Sequence, residues 1–144
     1  MTHATPFSVL LCLILLAHQI ESKTYTVTVA GKVECCENSN RPCPIYKDRA
    51  FVELWDRYKV GSDKLLKKTV NDRNTGNILI SATTSTILNF DPYVIIRHQC
   101  GSKPKCSRKL TIPIPNGHVK TGRTFSIEHL DLYKPHIGRN EDVC

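Results

Sequence analysis

The chain has 144 residues, 40% hydrophobic and 23% charged, with 20 Lys and Arg against 13 Asp and Glu for a formal net charge of +7. That size and balance exclude a multidomain protein and a charge-dominated disordered chain, and leave room for one core. The positive excess favours anionic partners: phospholipid headgroups, sulfated glycans, acidic proteins or nucleic acid.

Phe7 to Ala17 is an almost unbroken apolar run followed by polar His18 to Ser22. About a dozen apolar residues are too few to span a bilayer and fit the core of a secretory leader, although no Lys or Arg precedes them. Cleavage is expected after Ser22, with Ala17 as the other option. Residues 1–22 then form a signal peptide, residues 23–144 form one domain, and the protein is secreted and extracellular; a retained anchor is the alternative. Removal of the leader takes Glu21 with it and leaves 20 basic residues against 12 acidic ones, a balance of +8. An extracellular address makes nucleic acid the least suitable partner, and the chain holds no Asn-x-Ser/Thr sequon.

Tyr25 to Cys35 alternates, with Tyr25, Val27, Val29, Val33 and Cys35 on one face and Thr26, Thr28, Lys32 and Glu34 on the other, the period of a half-buried strand. Glu37 to Pro44 is a polar, turn-forming loop. Ala50 to Asp56 reads as a second strand and Leu65 to Val70 as a third, though its Leu-Leu-Lys-Lys also suits a helix. Asn71 to Gly76 has turn chemistry, and Asn77 to Thr83 makes the return strand. Tyr93 to Arg97 and the alternating Leu110, Ile112 and Ile114 form a hairpin around a loop with Gly101, Ser102 and Pro104. Pro113 and Pro115 cannot donate to a ladder, which puts their strand at a sheet edge. A loop at Asn116-Gly117, a last strand from Thr124 to Leu132, and a polar tail from Lys134 to Val143 complete the chain. Several short strands with regularly spaced turns predict an all-β, two-sheet antiparallel sandwich, without internal repeats or low-complexity segments.

The hairpin stands out chemically. Between Asp91 and Glu128 there is no acid, while Arg97, Lys103, Lys105, Arg108, Lys109, Lys120 and Arg123 are basic. Arg97, Lys103, Lys105, Arg108 and Lys109 are therefore the candidate anion-binding residues. A solvated outer face is the plainer explanation of the same charges.

Cys12 leaves with the leader, and the six others are expected in disulfides in an oxidising compartment. Adjacent Cys35 and Cys36 would point to opposite faces of a strand. The short closures are Cys36–Cys43 and Cys100–Cys106, which leaves Cys35 with Cys144. The chain-entropy estimate assigns about 4.7 kcal/mol to that long closure and about 2.4 to the Cys100 loop. A zinc site of His98, Cys100 and Cys106 is the rival reading. Asp72, Asn74 and Gly76 are similar to the start of a calcium loop, but the later acidic ligands are absent and a hairpin turn accounts for them. Trp55 and Tyr58 suit either a ligand pocket or packing against a sheet.

The ordered set Gly31-Lys-Val-Glu-Cys35, Val52-Glu-Leu-Trp-Asp56, Asp63-Lys-Leu-Leu66, Asn71-Asp72 with Gly76, Phe90-Asp-Pro92, His98-Gln-Cys100, Cys106-Ser-Arg-Lys109 and Ile112-Pro-Ile-Pro115 resembles the nematode transthyretin-like family. The resemblance covers essentially the whole chain after the leader. Cys35, Cys100, Cys106 and Cys144 fall at positions usual for the family, and Cys36 and Cys43 look like an added pair. It implies a secreted, immunoglobulin-like sandwich whose relatives are extracellular, mostly without an assigned ligand, with some connected to cell-surface binding. Relatives of transthyretin also include 5-hydroxyisourate hydrolases, which end in Tyr-Arg-Gly-Ser; this chain ends Gly-Arg-Asn-Glu-Asp-Val-Cys. His98, His118, His129 and His136 have no converging spacing, so no enzyme and no cofactor is expected. The expected function is recognition of an anionic phospholipid or glycan surface, such as phosphatidylserine on cells, bridged to a cell-surface receptor. A carrier of a small hydrophobic ligand, or a secreted effector, is the alternative.

Overall fold

A computed structural model describes residues 21–38 and 41–144. The expected leader lies outside the described residues apart from Glu21 and Ser22. Eight strands follow in order: β1 Lys23–Glu34, β2 Phe51–Asp56, β3 Lys64–Val70, β4 Asn77–Thr86, β5 Pro92–His98, β6 Ser107–Pro113, β7 Phe125–Asp131 and β8 Arg139–Val143; a short helix, α1 Asn116–Thr121, precedes β7. They form a three-stranded sheet, β4-β1-β7, and a five-stranded sheet, β3-β2-β5-β6-β8.

Period-two alternation builds the core. Val27, Val29 and Val33 of β1, Ile78 and Ile80 of β4 and Ile127 and Leu130 of β7 face Val52, Leu54, Val94, Ile96, Leu110 and Ile112 of the larger sheet, all at most 3% exposed. The outer face of β1 and β4 is a hydroxyl ladder, in which Thr24–Ser85, Thr26–Thr83 and Thr28–Ser81 pair at 2.8, 2.9 and 2.8 Å. Gly76 closes the β3–β4 turn at φ +74°, where a Cβ would strike the Val33 carbonyl.

Five expectations change. The tail is not all irregular: Arg139–Val143 is β8, paired antiparallel with Ser107–Thr111 of β6. β6 is therefore interior rather than an edge. Its prolines are tolerated because Pro113 lies beyond the last residue that β8 reaches, Thr111. Asn116–Thr121 is helical rather than a loop, and β7 runs parallel to β1 in a sheet arrangement that is otherwise antiparallel.

The fifth correction concerns the disulfides. Cys36–Cys43 forms, but Cys35 bonds Cys100 and Cys106 bonds Cys144, in place of Cys100–Cys106 and Cys35–Cys144. Sheet geometry overrides loop length here. Cys100 is buried and turns inward beneath β5, toward the end of β1 in the opposite sheet. Cys106 precedes Ser107, whose partner in the ladder is Val143, so the register brings Cys144 beside it. With both sulfurs bonded elsewhere, Cys100 and Cys106 offer no thiolates to a zinc ion with His98.

Candidate anion-binding groove

Asn71, 3% exposed, organises one end of the larger sheet. Its Oδ1 accepts from the Ala50 amide at 2.7 Å, and its Nδ2 donates to the Tyr46 and Asp48 carbonyls, each at 3.1 Å. These bonds strap segment 45–50 to the β3–β4 turn. Arg73 in that turn adds another, its Nε donating to the Lys47 carbonyl at 2.8 Å. Arg49 and Arg73, distant in sequence, thereby share the lining of one groove with Phe51. Register then supplies Arg97, which stands directly opposite Phe51 across the β2–β5 ladder. Arg49, Phe51, Arg73, Arg97, Gln99 and Ser107 line an open groove of about 490 Å³, and the acid Asp48 and the buried His98 complete its lining.

The next position across the sheet is Lys109, directly opposite Arg97 in the β5–β6 ladder. Like charges facing each other in an antiparallel pair destabilise it. Glu141, the other register neighbour of Lys109, is engaged with Arg139 at 3.2 Å, and among the described residues Lys109 has no salt bridge. Arg97 is steadied by Glu53, at 3.6 Å from its Nε. Glu53, 5% exposed, also meets Lys68 at 3.0 Å and accepts from Trp55 Nε1 at 2.9 Å. Burial alone would raise the Glu53 pKa; Lys68, Trp55 and Arg97 outweigh it and hold the carboxyl below its ordinary range. Glu53 is thus a fixed anion that orients Arg97, and Trp55 belongs to this outer face rather than to a ligand pocket.

The expected hairpin set divides. Arg97 enters the groove and Lys109 adjoins it. Lys103 and Lys105 are exposed on the β5–β6 loop, Lys103 at 3.9 Å from Asp142. Arg108 is structural: half-buried, it lies 3.4 Å from Asp142 and donates to the Tyr133 carbonyl at 3.2 Å. The acid lacking in the local sequence therefore arrives from β8. Arg49, Arg73 and Phe51 escaped the sequence reading, since only the Asn71 strap and the β2–β5 register bring them together.

The other expected features also find places. Asp72 Oδ1 accepts from the Asn74 and Thr75 amides at 2.8 and 3.2 Å, an Asx turn rather than a calcium loop. Tyr58 borders a separate, smaller cavity of about 300 Å³ with Val60 and Leu88. His129 and His136 share a cleft with Glu34 and Asp131, and His129 Nδ1 lies 3.1 Å from Glu34.

A guanidinium presents planar, paired donors that match phosphate, sulfate and carboxylate oxygens. Three of them line one groove beside the exposed Phe51, with Lys109 next to Arg97 in the ladder, so donors of that geometry converge on one surface.

The model of the transthyretin-like family matches residues 30–115, the segment that contains every cation of the groove. The chain is 30% identical over 119 residues to transthyretin-like protein 5 of Caenorhabditis elegans, covering 81% of this chain and 79% of that one. It is 30% identical over 103 residues to transthyretin-like protein 33 of the same organism, covering 69% and 65%. No solved structure is significantly similar to it. With its two-sheet sandwich, three disulfides and these relatives, the chain belongs to the nematode transthyretin-like family.

Proposed function

We propose that the protein is a secreted recognition module that acts by binding rather than catalysis, and that its ligand is an anionic group displayed on an extracellular surface. The supporting observation is the convergence of Arg49, Arg73 and Arg97 on one groove, with Lys109 opposite Arg97. Four cations at about 1 kcal/mol each near an anionic surface enrich the protein there roughly thousandfold. Phosphatidylserine headgroups and sulfated glycans are the two sources of suitable chemistry. The carrier reading draws support from the cavity beside Tyr58, Val60 and Leu88, but that cavity is small, about 300 Å³, and is lined by loop residues rather than by the sandwich core.

The test compares immobilised heparin with immobilised phosphoserine, which presents the lipid headgroup without a bilayer. The Arg49→Gln/Arg73→Gln/Arg97→Gln variant is expected to lose at least about tenfold in affinity for one of these, with wild-type binding falling steeply as salt rises. Replacing Lys103 and Lys105, or Lys59, Lys64, Lys67 and Lys68, by Gln should cost much less. Equal losses from all three variants would reduce the groove to one part of a diffuse positive surface and reject the proposal.

A further inference from the structure

The groove does not end at β5. Lys109, Thr111, Pro113, Gly138, Arg139 and Glu141 line a second open groove of about 480 Å³. Lys109, Thr111 and Pro113 stand on the face of β6 opposite the buried Leu110 and Ile112, as Arg97 stands opposite the buried Ile96 and His98 on β5. Lys109 lines the second groove and Arg97 the first, and the two residues face each other in the β5–β6 ladder. The grooves therefore meet on one sheet face. Three strand-to-strand steps separate β2, which carries Phe51, from β8, which carries Arg139 and Glu141, so together they cross about 14 Å of sheet.

The lining changes character along that path. Arg49, Arg73 and Arg97 gather at one end, Lys109 follows, and Arg139 stands at the far end. Arg139 meets Glu141 through its Nε at 3.2 Å, yet its side chain is 84% exposed and stays largely in solvent. Uncharged hydrogen-bonding side chains, Gln99, Ser107 and Thr111, lie among the cations, and the acids Asp48 and Glu141 interrupt them. Charge is thus spaced along the surface instead of being massed at one point.

We infer that the two grooves together seat a linear sulfated glycan laid across the strands, its sulfates on the arginines and Lys109 and its hydroxyls on Gln99, Ser107 and Thr111. The inference rests on the anion-binding reading of the first groove and extends it. A single headgroup carries its charge at one place and does not reach Arg73 and Arg139 together. A chain with repeated sulfates does, and each contact after the first forms at the effective concentration set by the chain. An acidic peptide would match the cations, but its backbone adds to sheet edges, whereas the amides beneath this face are already paired in the β5–β6 and β6–β8 ladders. A single-stranded nucleic acid calls for a row of rings on which to stack its bases; among the described residues, Phe51 is the only exposed ring lining either groove.

The experiment uses protein recovered from a secreting host and measures binding of two size-defined heparin fragments, a disaccharide and an octasaccharide. Wild-type affinity is expected to rise at least about tenfold from the shorter fragment to the longer. Arg139→Gln should lower octasaccharide affinity by about fivefold while leaving disaccharide binding as in the wild type, since the short fragment is held by the three-arginine end. Lys105→Gln removes the same charge from the β5–β6 loop and should cost the octasaccharide no more than about twofold. An Arg139→Gln loss no larger than that of Lys105→Gln, or a wild type that binds both fragments alike, would overturn the inference. So would a polyglutamate peptide of matching charge that binds as tightly as the octasaccharide. The Arg49→Gln/Arg73→Gln/Arg97→Gln variant separates the two readings. If it loses disaccharide binding while Arg139→Gln has no effect, the first groove stands and its extension is rejected; if it keeps wild-type affinity for both fragments, both are rejected.

Discussion

His98 is 2% exposed at the inner end of β5, and neither ring nitrogen has a hydrogen-bond partner. Burial, and next to it the Arg108 charge, push its pKa down to about 4, with the nearby Asn140 side chain opposing. The unfolded chain therefore takes up a proton that the folded one refuses. The neutral ring's contribution is complete above the unfolded pKa of about 6.5 and is lost as pH falls toward 4, on the order of 3 kcal/mol in all. Urea midpoints at pH 7, 6 and 5 should fall progressively, and His98→Gln should flatten that slope whatever it does to stability at pH 7. Glu53 gives the other residue-level prediction. Replacing it by Gln removes the fixed anion beside Arg97, so the fold should weaken by about 1–3 kcal/mol while affinity for heparin rises by roughly threefold or more. Parallel denaturation and binding curves check both signs at once; a loss of affinity would mean that orienting Arg97 matters more than unmasking it.

Among the elements, β8 and the Asn71 strap carry the most consequence for the candidate site. β8 pairs only with β6 and is tied at its end by Cys106–Cys144. It brings Asp142 to Arg108 and Glu141 alongside Lys109, and so decides which cations of the hairpin stay free. The Cys106→Ser/Cys144→Ser variant should fray this strand without unfolding the sandwich. Its expected signature is faster amide hydrogen exchange in β6 from Ser107 to Thr111, with β1 and β4 unchanged. Slowed or unaltered exchange in β6 would show that the β6–β8 ladder does not need its covalent end.

Across the whole molecule, Cys35–Cys100 is the covalent tie between the two sheets, closing a sequence separation of 65 residues against 7 for Cys36–Cys43. The loop-entropy estimate gives about 4 kcal/mol for the first and about 2.5 for the second. Denaturant titration should therefore rank Cys35→Ser/Cys100→Ser as the more damaging pair, and a reversed order would point to native-state packing rather than chain entropy. The same bond lies close behind the groove, since Cys100 follows Gln99 in its lining.

Local pattern was enough for much of this architecture. Alternation in Tyr25–Cys35 and in Leu110–Ile114 assigned inner and outer faces correctly, because a strand's side chains alternate whatever it pairs with. Turn chemistry at Asn71–Gly76 was legible for a similar reason: Asp72 and Gly76 act on their own neighbours. The ordered motifs from Gly31 to Pro115 were enough to indicate the family. Pairing between distant segments was not legible. The polar Arg139–Val143 has little strand character of its own and becomes β8 through the ladder with β6. Cys106 meets Cys144, and Cys100 meets Cys35, because register and the inward turn of Cys100 set the distances, whereas loop length favoured other partners. Arg49, Arg73 and Arg97 carry no shared motif, and they form a groove only because a buried asparagine and the β2–β5 register hold three separate segments together. Sequence determined what each segment prefers, since those preferences act over a few residues; tertiary structure decided which segments meet, since that depends on packing and register across the whole sandwich.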